Sequence, residues 1–255
     1  MSDHDARIAV SGSYSSGKTT AAEALSIATA IPRTGALTAR EIVVDLLPHK
    51  RFEELSAAEL LMLALRRFEE RVQGESQLPG GRISDGSVLH EWVYGEARMQ
   101  VGINPGASLL HRATKRVVGV AAKTYVQQYI DAFGLVAKER AKRAYDVFIH
   151  LPVEFEMRAD GHRPVSEEYR RVSDRLLIRV LDELEIPYHV VGGSVSERVT
   201  RIVELLELDI VVPVAEAVAM ANERIEHSRE MTAERQIAGL APKTLRRRVR
   251  AAVHY

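Results

Sequence analysis

The chain has 255 residues, 46% hydrophobic and 27% charged, enough for one substantial core and too few for two ordinary domains with linkers. Its 35 basic and 35 acidic residues cancel, so no overall field selects a polyanion and nucleic acid is not an expected partner. The lack of cysteine excludes disulfides and thiolate metal sites, and neither a signal-peptide core nor an apolar run of membrane-spanning length is present, so a cytoplasmic chain without membrane contact is expected.

The apolar run Ile8-Ala9-Val10 predicts a buried strand that ends at Ser11 and opens into GSYSSGKTT, residues 12 to 20. Gly12 and Gly17 bracket a turn in which successive N–H groups must point inward, a conformation that residues with a Cβ resist. The spacing is that of a P-loop, a nest for phosphate oxygens. Lys18 is then placed to reach the β- and γ-phosphates, and the Thr19 hydroxyl to ligate Mg²⁺. The expected triphosphate contacts are Gly12, Ser13, Ser15, Ser16, Gly17, Lys18, Thr19 and Thr20. A helix over AAEALSIATA adds its positive end to the same anion site.

An extended segment up to Thr38 precedes a helix from about Ala39, and Arg40 and Glu41 lie at the junction. They either reach the acceptor from a strand end or simply open the helix. Residues 56 to 72 form an amphipathic helix with Leu60, Leu61, Ala64, Leu65, Phe68 and Val72 on its apolar face, its start marked by Ser56 and Glu59 as a capping box. A short strand around Ile83 ends in Asp85-Gly86, where a carboxylate beside a P-loop strand holds Mg²⁺ or a reacting hydroxyl, although Asp-Gly alone also makes turns. The helix that follows carries His90 and Trp92, which read equally as pocket wall or as core and surface.

Residues 101 to 110 read as a loop, and 114 to 145 as largely helical with Tyr125, Tyr129 and Phe133 at four-residue spacing. The run YDVFIHLP, residues 145 to 152, predicts a buried parallel strand. It leads into a segment rich in arginine, including Arg158, Arg163, Arg170 and Arg171, placed to close over a nucleotide as a lid across about 153–172. A helix from Ser173 to Leu184, a strand over 187–193 and a helix from Val195 to Leu206 complete an alternation that predicts a parallel sheet covered on both faces. Beyond Pro213 a helix with few large apolar residues leads to a basic cluster at 243–250, either a solvated face or an anion contact.

In this order the motifs resemble the P-loop kinase-like ATPases that include the nicotinamide-riboside kinases and AAA-type relatives. The matching pieces are GSYSSGKTT, TAREI at 38 to 42, the Asp85 strand end, YDVFIHLP, the R-x-D-G-x-R of 158 to 163, and PYHVVGG with Glu197-Arg198. The resemblance implies a three-layer α/β P-loop NTPase sandwich of the nucleoside/nucleotide-kinase type over 1–207, with a C-terminal helical extension over 208–255. It also implies ATP (or GTP) with Mg²⁺, and phosphoryl transfer to a small hydroxyl-bearing substrate. Gly12, Gly17, Lys18 and Thr19 carry over to triphosphate and metal binding, and Arg158 and Arg163 to the lid. Gly86 and Ser87 stand where many relatives place an arginine, which leaves Asp85 between metal contact and general base.

We therefore expect a small-molecule kinase. Lys18, Arg158 and Arg163 would stabilise the moving phosphoryl group, Asp85 or Glu41 would orient the acceptor, and Arg40, Glu41, Asp85, His90 and Trp92 would line the acceptor site. The C-terminal helices are the surface assigned to a homodimer. The alternative is a nucleotide-dependent switch acting through a partner, against which stand the lack of an N-K-x-D segment and of a strand ending in two adjacent acids.

Overall fold

A computed structural model describes residues 6–47, 50, 54–102, 120–154 and 166–240, with the side chains of residue 40, 120–123 and 235–240 excepted. Five short strands form one sheet: β1 (Arg7–Ser11), β2 (Arg33–Thr34), β3 (Arg82–Asp85), β4 (Val147–His150) and β5 (Tyr188–Val190). All neighbouring pairs are parallel, and the spatial order is β2-β3-β1-β4-β5, so β1 is central.

Strand alternation distributes the core to two faces. Ile8, Val10, Ile149 and Leu151 point to one, where α1 (Lys18–Thr29), α7 (Val195–Leu206) and α8 (Val214–Leu240) cover them. Ala9 and Phe148 point to the other, under α4 (Val88–Val101), α5 (Val120–Ala144) and α6 (Glu167–Leu184). The result is the three-layer α/β sandwich expected from the alternation of elements. A third cluster, with Ile42, Val43, Leu55 and Leu63, joins α2 (Ala39–Leu46) to α3 (Ala57–Ser76) beside the β2 edge.

Several starts are fixed by local chemistry. Ser56 Oγ accepts from Glu59 N while the Glu59 carboxylate accepts from Ser56 N, so the expected capping box opens α3. Ser194 and Glu197 do the same for α7. The helix α8 is more than an appendage to the sandwich: Ala217 and Ala221 are fully buried in the α1 face, where their small side chains let the helices approach closely. No helix among the described residues is long and apolar enough to cross a membrane.

Candidate active site

The carboxyl ends of β1, β3 and β4 meet at the P-loop. Val10 lies in register with Asp85 and Ser11 with His150, and Gly86 N donates to Val10 O at 2.9 Å. Gly12 (φ 140°), Ser15 (φ 57°) and Gly17 (φ 85°) take left-handed conformations, which curl the loop back on itself. A Cβ at Gly12 would lie 2.5 Å from the carbonyl oxygen of Leu151, so the loop seats against the strand that follows it in space only because this residue is glycine.

Lys18 opens α1, and its Nζ donates to Ser13 O at 2.6 Å, which keeps the ammonium over the loop. Ser13 Oγ is buried and has no hydrogen-bond partner among the described residues, an unmet polar group that suits an incoming phosphate oxygen. The first N–H groups of α1 have no acceptor within the helix, the ordinary condition of a helix start. Thr19 is exposed beside them, with Thr20 half-buried.

Two fully buried arginines hold the outside of this loop by its carbonyl oxygens. Arg170 of α6 donates through Nε to Tyr14 O at 3.0 Å and through Nη1 to Glu167 at 2.7 Å. Arg198 of α7 donates through Nη1 to Ser16 O at 2.5 Å and through Nη2 to Glu154 at 2.8 Å. The Arg198 guanidinium, together with the N–H of Gly193 at 2.8 Å, holds the Glu154 carboxyl below the usual carboxylate range. With the carbonyls tied outward, the amides of the same peptides face inward. An open cleft of about 500 Å³ on this side is lined by Gly192, Gly193, Ser196, Glu197, Thr200, Arg201 and Glu204.

The opposite side of the loop is packed with aromatic rings. Tyr14 stacks on Tyr94 at 4.4 Å and lies 6.0 Å from Tyr169, whose hydroxyl donates to Tyr94 O at 3.0 Å. Burial pushes the Tyr94 and Tyr169 phenols up, so both stay neutral. Below the Asp85-Gly86 turn, Arg71 of α3 donates to Asp85 O at 2.9 Å and faces Glu91 at 3.3 Å, and Arg67 meets the second oxygen of Glu91 at 2.8 Å. The Arg71 guanidinium lies 3.1 Å from where a Gly86 Cβ would be, filling the space that a side chain at position 86 would take.

Asp85 is at the P-loop edge of the sheet, its Oδ2 3.3 Å from Arg33 Nη1. His90 is also brought to the loop: it is buried, with Nδ1 accepting from Ser87 N at 2.9 Å, so the proton of the neutral ring sits on Nε2, which faces Gly12. Burial first, then the positive charges of Lys18 and Arg71, hold its pKa well below the usual 6.5. Folding therefore excludes a proton that the unfolded ring accepts below about 6.5, and stability is lost as pH falls through that value toward the folded pKa. Urea midpoints measured from pH 7.5 to 5 should fall more steeply for the parent than for His90→Gln.

Two further candidates have partners of their own. Glu41 closes the capping box of α2, its carboxylate accepting from Thr38 N at 2.7 Å. Arg40 is in the first turn of the same helix, and its side chain lies outside the described residues. Trp92, about two hundred degrees round α4 from His90, packs on Gly134 and Lys138 of α5 instead of at the P-loop, with Lys138 Nζ 4.8 Å over its ring. Arg158 and Arg163, most of the 153–172 segment, the 101–110 loop beyond Gly102 and the basic cluster at 243–250 lie outside the described residues.

The sequence reading missed Tyr14, Arg67, Arg71 and Arg33 as parts of this edge, and it placed Arg170 in a lid where the structure buries it. It also missed His150, whose Nδ1 lies 3.4 Å from Ser11 Oγ and whose Nε2 lies 3.1 Å from Asp174.

A family model described as an AAA domain matches residues 7–198. No curated protein sequence matches the chain. Solved structures of deoxyadenosine kinase from M. mycoides share the fold. The form with bound dATP has a TM-score of 0.50 and 15% identity, covering 79% of this chain and 99% of that one. The form with bound dCTP gives 0.52 and 15%, covering 78% and 98%. The form with the products dCMP and a flexible dCDP gives 0.51 and 14%, again covering 78% and 98%.

Proposed function

The chain belongs to the AAA-domain family of P-loop NTPases, and from that premise we propose that it is an ATP-dependent kinase acting on a hydroxyl of a nucleoside-like or other small metabolite. The observation that carries this reading is the pairing, across two adjacent strands, of the loop that cradles phosphate with a strand-end carboxylate: Val10 in register with Asp85. A triphosphate on Gly12 to Thr20 would meet inward amides, the Lys18 ammonium and the free N-terminus of α1, all fixed before the nucleotide arrives.

The residues present suit Mg²⁺ arriving with the phosphates. Thr19 presents an exposed hydroxyl at the helix start, and no group of three or more metal-ligating His, Asp or Glu gathers among the described residues, so the ion would draw most of its ligands from phosphate and water. Bound there, it would neutralise charge on the β- and γ-oxygens. Asp85, at the end of the strand beside the P-loop strand, would accept a proton from an acceptor hydroxyl or help hold the metal.

The test is ADP release from MgATP with and without a panel of nucleosides and hydroxylated metabolites. A kinase shows release that depends on one class of acceptor. If the panel changes nothing while a protein or nucleic acid accelerates turnover, the chain is a nucleotide-dependent switch. For Asp85→Asn we expect kcat to fall by about 10²–10⁴-fold with nucleotide affinity retained, the signature of a lost base. A large loss of MgATP affinity would assign Asp85 to the metal instead.

A further inference from the structure

We propose that Arg33 is a positioning residue for Asp85 and that α8, beyond the stretch matched by the family model, anchors it through Glu23; this rests on Asp85 acting at the reacting hydroxyl. Four side chains of alternating charge run from the C-terminal helix to the strand-end carboxylate. Arg224 Nη1 meets Glu23 Oε1 at 2.9 Å, Glu23 Oε2 meets Arg33 Nε at 2.6 Å, and Arg33 Nη1 meets Asp85 Oδ2 at 3.3 Å.

The geometry of the guanidinium makes this a positioning device. Arg33 belongs to a strand only two residues long, at the edge of the sheet, so little backbone holds it. It presents Nε to one carboxylate and Nη1 to another, and a planar fork with one edge pinned by Glu23 has its remaining donors fixed in direction. The Glu23 and Asp85 side chains are 12% and 16% exposed, which limits screening, while Arg33 at 31% and Arg224 at 58% are more open. The chain is therefore firmest at Glu23 and loosest at its α8 end. Glu23 lies on α1, five residues after Lys18, so one helix carries both the phosphate-facing ammonium and the pin for the acceptor-side cation. Without Arg33 the Asp85 carboxylate is free to rotate away from the reacting hydroxyl, and near-attack geometry is lost in proportion.

Two readouts test this with MgATP as the probe and water or an active panel compound as the acceptor. In turnover, Arg33→Gln and Glu23→Gln should each lower kcat about tenfold with KM for MgATP within twofold. Arg33→Lys, which keeps the charge but cannot span two carboxylates, should not restore the rate. Arg224→Gln should give a smaller loss of the same kind. The double variant Arg33→Gln/Asp85→Asn should be no slower than Asp85→Asn alone. In the nucleotide-free protein, urea-midpoint shifts for Arg33→Gln and Asp85→Asn should fail to add. Additive effects on both readouts, full rescue by lysine, or an unchanged kcat in Arg33→Gln overturns the proposal while leaving Asp85 in place. If Asp85→Asn itself turns over normally, the parent reading and this one fall together.

Discussion

Replacing Lys18 by alanine is expected to abolish nucleotide turnover while leaving the fold intact. Lys18 is the first residue of α1, only half-buried, and its Nζ is held over the loop by Ser13 O at 2.6 Å. Alanine is the best helix former, and the hydrogen bond to Ser13 O is lost at a half-buried helix start, so the unfolding midpoint should move by no more than a few degrees. The rate is a different matter. In phosphoryl transfer the protein contributes position and charge, and removing a preorganised cation from a site partly shielded from water costs about 3–4 kcal/mol, or 10²–10³-fold in kcat. Lys18→Arg is not expected to rescue, because a planar guanidinium is broader than an ammonium and cannot follow the same path between loop and phosphate. Steady-state ADP release beside thermal unfolding separates the two effects. Turnover surviving within tenfold would remove the P-loop from the chemistry.

The parts of the fold readable in the sequence are those where local rules and tertiary packing agree. The GSYSSGKTT spacing, the Ser56/Glu59 capping box and the helix from Val195 to Leu206 are all set by nearest neighbours along the chain, and the structure places them as expected. Helix α3 shows where such reading stops. Apolar periodicity points to a face including Leu65, which is 48% exposed, whereas Arg71 and Glu75, which it does not mark, are buried. Their partners lie on other elements: Glu91 for Arg71, and Tyr145, whose hydroxyl donates at 2.6 Å, for Glu75. A buried ion pair is invisible until both halves are placed in space.

The same reason hid Arg33, whose carboxylates come from α1 and β3, and it misdirected Arg170, which the sequence assigns to the arginine-rich lid segment. For α8 the misleading feature was residue size. Few large apolar residues marked only a helical extension, and it is small size that lets Ala217 and Ala221 pack closely in the core.

Arg198→Ala is expected to damage stability and nucleotide binding together, which sets it apart from Lys18→Ala. The Arg198 side chain is fully buried and joins three segments: α7, the P-loop at Ser16 O, and Glu154 after β4, which in turn accepts from Gly193 N. Truncation leaves the Ser16 carbonyl without its guanidinium and removes a buried aliphatic stem from beside Gly17, where Nη1 lies 3.3 Å from the site of a Cβ. Breaking a fully buried ion pair costs about 3–5 kcal/mol. The Glu154 side chain is 39% exposed and can rehydrate, so a cost below that range, about 2–3 kcal/mol, is the appropriate expectation. For a chain of this size that is a fall in Tm of about 5–10 °C. Because the residue ties a loop carbonyl outward, the amides that face the phosphates lose their fixed direction as well, and the extra thermal stability that MgATP confers on the parent should shrink or vanish in the variant. Arg198→Lys should behave like the alanine variant in the nucleotide-dependent shift, since one ammonium cannot serve Ser16 O and Glu154 in the same geometry. A variant that loses stability yet keeps the full MgATP-induced shift would confine Arg198 to holding the fold and leave the loop to shape itself.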